Sequence, residues 1–512
     1  MRITFPLISV ALLLTAWSAT AGIPRTEAQK TVEGICAREP LRAGLAGVLA
    51  VRADGDTLVA VNVRQRLVPA SNVKLLTTGL ALHRLGADFR FETRIAYTGT
   101  VQDGVLKGDV YILGGGDPTT GSRSDCAEGI GKTFATWAQL LADAGITAVE
   151  GRILGDPRAF ATPTPQNLGW TFDDLGTYYG AGPTGLNFFE NAQNFYITPG
   201  PAGTAPNYKV QYPETPWMRM ENHAVTGPAR SSNTLYYVNS TLGPYGELAG
   251  SFPVDRRGYT LECSNAFGAY TCAWYFRNYL QKNGIEVRGA WGDITLQGEV
   301  RTDLTPGAVR TPAAVTDSLT ILGSSFSAPL SAIVRDTNAE SDNFYAETLL
   351  KAIALHDGRT AGQDDCEKAA EAGLRALGLR TDGACHQVDG SGLSRKNYVS
   401  AAFFVRFLRK MMTLPVWEPF FASLPVPGDK GTLENRFEKA PQEFKSRIHM
   451  KTGSMNGVRC FSGYILASDG NPQHTIVFSV LVNNCPEPSY QTTPVLDSII
   501  AAIAAENGTP IQ

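Results

Sequence analysis

The chain of 512 residues is short of several things that whole classes of function require. Its six histidines cluster nowhere, and its eight cysteines form no Cys-x-x-Cys pair, so nothing calls for a metal centre or another cofactor. A balance of 45 basic against 48 acidic side chains leaves a net charge of -3, which gives no reason to expect nucleic acid or an anionic membrane as partner. Past the start of the chain, no apolar run is long enough for a transmembrane helix. No Gly-Lys-Ser/Thr follows Gly114-Gly115-Gly116, so the stretch through Asp117 and Pro118 reads as a turn and not a phosphate loop. There is no internal repeat and no low-complexity segment.

What is present is an exported globular chain. The length allows two to four domains, and 43% hydrophobic with 18% charged residues is ordinary for such a protein. Arg2, the apolar run Ile8 to Trp17 and Ala19-Thr20-Ala21 read as a signal peptide over residues 1–21, with a mature start near Gly22; an uncleaved anchor is the alternative. No cysteine at the cleavage point argues against a lipid anchor. An even cysteine count in an exported chain predicts disulfides. Proximity would pair Cys263–Cys272, Cys366–Cys385, Cys460–Cys485 and Cys36–Cys126, although spacing does not fix connectivity.

Gly34 to Leu45 reads as a short helix. A hairpin follows, Gly47 to Arg52 and Asp56 to Asn62 across Asp54-Gly55. It leads into Pro69-Ala70-Ser71-Asn72-Val73-Lys74, where a helix starts and runs to Leu85. Strands are expected over 91–97 and 108–113, then a helix over 134–144. Between Pro163 and Gly185 the texture turns to glycine, proline and aromatics, with Trp170, Asp173, Tyr178 and Tyr179 among them. Short strands fill 193–297 apart from a helix over 270–283. Leu304-Thr305-Pro306 and Thr311-Pro312 read as linker. Helices over 330–336, 344–356, 366–377 and 399–412 follow, then a hairpin of Val458 to Ala467 with His474 to Asn483, and a last helix over 494–505. Strands from both chain ends can share one sheet, with the middle as an insertion.

Three short motifs sit at element boundaries. Ser71 and Lys74 are i and i+3 on one helix face, so the amine can take the proton that makes the serine a nucleophile. Ser341-Asp342-Asn343 lies between two helices, and Lys451-Thr452-Gly453 precedes the strand from Val458. Each alone is weak: Ser231-Ser232-Asn233 and Ser454-Met455-Asn456 also fit Ser-x-Asn. In this order the three are the pattern of class A β-lactamases and penicillin-binding proteins. Ser71 would attack a carbonyl and become acylated, with Lys74 as base and Lys451 helping to keep Lys74 neutral by repulsion. Ser341 would pass a proton to the leaving amine, Asn343 would hold a substrate amide or orient Lys74, and Lys451 with Thr452 would bind a carboxylate. The backbone N–H groups of Ser71 and Ser454 would form the oxyanion hole.

The chain resembles the class C low-molecular-mass penicillin-binding proteins, the D-Ala-D-Ala carboxypeptidase/endopeptidase family (DacB-like, peptidase family S13). Beyond the three motifs, the resemblance rests on Gly114 to Pro118, Gly169 to Leu175, Asp389-Gly390-Ser391-Gly392-Leu393-Ser394-Arg395, Leu424 to Gly428 with Gly431 to Leu433, and Val458 to Tyr464. The gap of about 270 residues between Ser71 and Ser341 is also shared. It implies an α/β (α+β) serine transpeptidase/β-lactamase-like domain over 22–95 and 312–512, with two inserted β-rich domains, 96–192 with 285–311 and 193–284. It implies a periplasmic enzyme acting on peptidoglycan stem peptides and acylated by β-lactam antibiotics. It implies a pocket for the amino end of a stem side chain, formed by Trp170, Asp173, Tyr178 and Met455 beside Thr452 and Gly453; Asp174 competes with Asp173 for that role. Ser454 stands where many relatives have threonine, which leaves the backbone role untouched. A β-lactamase is the alternative within the same chemistry, but no Glu-x-x-x-Asn supplies a deacylating base. A catalytically idle wall-binding scaffold is the alternative outside it.

Overall fold

The computed structural model describes residues 25–160, 165–240, 244–297, 309–310, 318–486 and 488–507. The signal peptide, the linker at 304–306 and the boundary at 312 lie outside them.

A five-stranded antiparallel sheet joins the two ends of the chain. Its order is Thr57–Val61, Leu45–Arg52, Ile476–Asn483, Val458–Ile465, Ile448–Met455. Side chains alternate faces along a strand. Val48 and Ala50 therefore enter one apolar core, under the helices Glu27–Cys36 and Thr493–Ala505, while Leu49 and Val51 enter another, under Val73–Leu85, Asn343–His356 and Ala401–Met411. Ile476–Asn483 is buried along its whole length because helices cover both of its faces, which is why its sequence shows no polar alternation. The fold is a mixed α/β one.

The middle of the chain forms further sheets. Trp291–Asp293, Ile153–Asp156, Val110–Gly114, Glu92–Tyr97 and Thr320–Phe326 make a second five-stranded sheet. The helices Ile130–Asp143 and Gly268–Lys282 pack on it around Phe134, Trp137 and Phe276. Residue 95, where a domain boundary is expected, falls inside a strand that pairs with Val110–Gly114 and Thr320–Phe326. The helix Gly268–Lys282 shares its core with that sheet and not with the small strands before it. Those strands, among them Ala192–Thr198, Tyr245–Ala249 and Tyr259–Ser264, enclose a separate small core around Phe195, Leu248 and Phe252.

Two expectations change. The first helix is Glu27–Cys36, with Thr26 Oγ1 accepting the Gln29 N–H at 3.0 Å, and not 34–45. Residues 37–44 are turns around Pro40, which has no N–H to give a helix. All eight cysteines are free thiols. Cys263 faces the small core and Cys272 the core of Trp137; Cys36 and Cys126 likewise border different cores. Cys366 and Cys385 share a core without a bond between them. Cys460 and Cys485 come close, but the Cys460 thiol points to the Val68 carbonyl and that of Cys485 to the Val482 carbonyl. Among the described residues no helix is long and apolar enough to cross a membrane.

Candidate active site

Ser71 sits on a short 3-10 turn, Ala70–Asn72, that runs into the helix Val73–Leu85. The turn is pinned to the sheet from two sides. Val68 donates its N–H to Asn483 Oδ1 at 2.7 Å, and Asn483 Nδ2 returns a bond to the Val68 carbonyl at 2.9 Å. The buried Asn72 donates to Ser462 Oγ at 2.7 Å, and Ser462 bonds in turn to Ser479. Ala70 is held at φ 46°, a left-handed conformation that alanine rarely adopts. Ser341 has φ 62°. Such strain persists where the surroundings over-determine it, and here it flanks the proposed nucleophile and proton donor.

Lys74 is fully buried, one turn from Ser71. Its Nζ lies 3.0 Å from Ser71 Oγ, 2.6 Å from Asn343 Oδ1 and 2.8 Å from the Ser391 carbonyl oxygen. The Asn343 amide is oriented by its Nδ2, which donates to the Tyr179 carbonyl at 3.0 Å. Asn343 Oδ1 and Ser391 O can only accept. A neutral amine has two N–H bonds and one lone pair. In the neutral form both N–H bonds go to those two acceptors, which leaves the lone pair for Ser71. Burial brings the Lys74 pKa down to about 8, opposed by Asp342, Asp389 and Glu347.

The Lys451-Thr452-Gly453 segment lies on the edge strand of the sheet, against the turn that holds Ser71. A Cβ on Gly453 would stand 2.6 Å from the Pro69 carbonyl oxygen, so only glycine permits this approach. Lys451 is buried, donates to the Thr452 carbonyl at 2.9 Å, and lies well below the usual lysine pKa through burial and repulsion by Lys74. For Lys74 itself, burial is the largest cause of the lowering. Ser454 is exposed on the same strand opposite Arg459.

Asp342 caps the helix Asn343–His356 by accepting the Tyr345 N–H at 2.8 Å. Lost solvation and the neighbouring Glu190 push its carboxyl up to about 7. Ser341, Asp342 and Asn343 open onto a cavity of about 720 Å³, walled opposite by Arg123, Tyr178, Tyr179, Glu190 and Glu262. Arg123 pairs with both glutamates and stacks its guanidinium over Tyr178.

Of the residues expected to bind a side chain, Tyr178 borders this cavity and Met455 packs partly buried against the nearby core. Asp173 is exposed, and Asp174 accepts the Thr171 hydroxyl at 2.6 Å. Trp170 is only 7% exposed and gives its indole N–H to Asp389 at 3.0 Å. Sequence reasoning assigns no role to Asp389, Ser391, Glu347 or the Arg123 cluster. The serine between two glycines, Gly390-Ser391-Gly392, was the available signal of a close backbone approach.

The model of the D-Ala-D-Ala carboxypeptidase 3 (S13) family matches residues 28–503. The chain belongs to that family. Among its S13 relatives, a D-alanyl-D-alanine carboxypeptidase of Actinomadura sp. (strain R39) is 29% identical over 519 residues, 99% of this chain and 90% of the relative. A D-alanyl-D-alanine carboxypeptidase, DacB, of Haemophilus influenzae is 23% identical over 414 residues, 79% and 78% of the two chains. The crystal structure of penicillin binding protein 4 from Haemophilus influenzae superposes with a TM-score of 0.76 at 21% identity, over 93% of this chain and 98% of that one. That likeness in fold runs across both the sheet and the insertion.

Proposed function

We propose that this S13 protein is a serine D-alanyl-D-alanine carboxypeptidase, and also a DD-endopeptidase, that works through an acyl-enzyme on peptidoglycan stem peptides and is acylated by penicillin. The observation that carries the reading is Lys74, buried and neutral enough to act as base, with its lone pair left for Ser71 alone. Ser71 Oγ attacks the carbonyl between the two D-alanines and its proton passes to Lys74 Nζ. The tetrahedral intermediate collapses as the C–N bond breaks; the amine leaves with a proton from Ser341, which recovers the one held on Lys74 Nζ, so both groups return to their starting state. Water then attacks the ester and regenerates Ser71. The backbone N–H groups of Ser71 and Ser454 hold the oxyanion, and Lys451 with Thr452 and Gly453 receives the terminal carboxylate. Trp170, Asp173, Tyr178 and Met455 receive the side chain of the third stem residue.

The layout that goes with this reading is a catalytic domain from both chain ends and two inserted domains. Export to the periplasm after cleavage near Ala21 would place it at its substrate. The family match and the names of the relatives support the activity.

Fluorescent penicillin tests the reading. The protein is expected to label at Ser71 and stay labelled for many minutes, and Ser71→Ala is expected not to label. No labelling of the unaltered protein rejects the proposal, and rapid turnover of the drug replaces it with a β-lactamase. Release of D-Ala from a pentapeptide, measured beside loss of a cross-linked dimer, separates the two peptidase activities.

A further inference from the structure

We propose that Asp389 is a positioning residue for Lys74, and that Trp170 acts on the general base through it. The inference rests on the proposed role of Lys74 and adds to the machinery described above.

The Ser391 carbonyl takes one N–H of Lys74, so whatever fixes that peptide unit aims the lone pair. Its N–H end is Gly392 N, which donates to Asp389 Oδ1 at 2.8 Å. Lys74 and the Asp389 carboxylate thus hold opposite ends of one peptide plane. The glycines on either side of Ser391 restrain the backbone little, so that plane has to be held by side chains. Both glycines are required by close approach. A Cβ on Gly390 would come within 2.3 Å of the Ala346 carbonyl oxygen, and one on Gly392, at φ 86°, within 1.9 Å of that of Ala70. Asp389, three residues before Gly392, supplies the orientation.

Asp389 is fully buried and accepts four hydrogen bonds. Besides Gly392 N, Oδ1 takes Asn397 Nδ2 at 2.8 Å, and Oδ2 takes Ser394 N at 2.6 Å and Trp170 Nε1 at 3.0 Å. Three of the donors belong to the same turn. The fourth comes from the glycine- and aromatic-rich segment that borders the substrate side. That segment is tied down at two further points, Asn167 Nδ2 to the Val388 carbonyl at 3.1 Å and Ser394 Oγ to the Gly169 carbonyl at 3.2 Å. A displacement of Trp170 is therefore passed by Asp389 to the Ser391 carbonyl and so to Lys74. The preceding peptide is held separately, by Glu347 accepting the Ser391 N–H at 2.8 Å and Thr77 donating to the Gly390 carbonyl at 2.7 Å.

The experiment follows acylation by benzylpenicillin, which has no stem side chain, and separates the first-order acylation constant from the dissociation constant of the first complex. Trp170→Phe keeps an aromatic ring at this buried position and removes the N–H together with part of the indole. It is expected to lower the acylation constant by about tenfold, as loss of a hydrogen bond to a charged group does, with the dissociation constant unchanged. Asp389→Asn is expected to lower it by about a hundredfold, the scale of a small misplacement of a reacting group. It should also shift the acidic limb of the rate to lower pH, because the carboxylate helps keep the proton on Lys74. The other charged groups facing Lys74, Asp342, Glu347 and Lys451, remain in that variant. A general loosening lowers the plateau without moving the limb. If Trp170→Phe is acylated at the unaltered rate and only peptide KM changes, Trp170 is a pocket wall and the proposal is overturned, whether or not Asp389→Asn folds. Absence of labelling in the unaltered protein would reject the functional reading and this inference with it; normal labelling of it with undiminished variants rejects this inference alone.

Discussion

The rate of penicillin acylation should rise with pH until it passes the Lys74 pKa of about 8, and Glu347→Gln should move that rise to lower pH. Only the neutral amine accepts the Ser71 proton. With a pKa of about 8, roughly a tenth of the protein is competent at pH 7 and about a hundredth at pH 6, so the rate climbs nearly tenfold per unit and levels above pH 8. Glu347 is one of three carboxylates that hold the proton on Lys74, and its own carboxyl is pushed up to about 7 by burial and by Asp389. Glutamine keeps an oxygen for the Ser391 N–H while removing the charge. Loss of one nearby opposite charge lowers the Lys74 pKa by about half to one unit, which gives about a three- to tenfold faster acylation at pH 7 and no change on the plateau. Stopped-flow labelling with a fluorescent penicillin between pH 5.5 and 9.5 reads both. A flat profile between pH 6 and 9 in the unaltered protein, or a limb that moves up in Glu347→Gln, would refute the reasoning.

Lys74→Met should abolish labelling without lowering the melting temperature. The folded-state pKa lies below the unfolded one, so the folded protein binds that proton less tightly. The lysine then costs about 3 kcal/mol of stability at every pH below 8, a cost that fades as pH rises from 8 to 10.5. Methionine removes the cost and orphans two acceptors at about 1 kcal/mol each, so a marked fall in melting temperature at pH 7 would contradict the balance. Asn343→Asp places a carboxylate on the atom 2.6 Å from Lys74 Nζ and should shift the acidic limb up by about one unit or more, read as at least about tenfold slower labelling at pH 7. Gly392→Ala drives a methyl to 1.9 Å from the Ala70 carbonyl oxygen at a backbone angle alanine avoids; it should destabilise the fold by about 2–4 kcal/mol and slow labelling, and an unchanged denaturant midpoint would rule this out.

The parts of this molecule that were legible in the sequence are those written locally. The helix after Ser71 declares itself by its apolar spacing and ends at Gly86, and the hairpin of Val458–Ile465 with Ile476–Asn483 by its apolar runs about a turn. Ser71 and Lys74 are neighbours on one helix, so their meeting needs no tertiary knowledge. Asn343 reaches Lys74 across the fold, and only the three-motif pattern makes that readable. Ser391 acts through a carbonyl oxygen, which every residue has, so no residue type marks it. Asp389 and Glu347 act on backbone amides from inside the core, and a lone acidic residue in the sequence does not declare its burial. The disulfide expectation followed compartment and count; the thiols instead fill apolar cores as small hydrophobes.

The clasp between Val68 and Asn483 joins positions 415 residues apart, and the strand carrying Lys451 lies on the same late part of the sheet. This gives the molecule a timetable. The insertion has its own cores and can close while the chain is still emerging, as separate units do during synthesis. The seat of the nucleophile cannot, because the strand beside Leu45–Arg52 and the amide that grips Val68 are made almost last. A growing chain therefore lacks the complete seat of its serine until Ile476–Asn483 has been made and the two ends can meet.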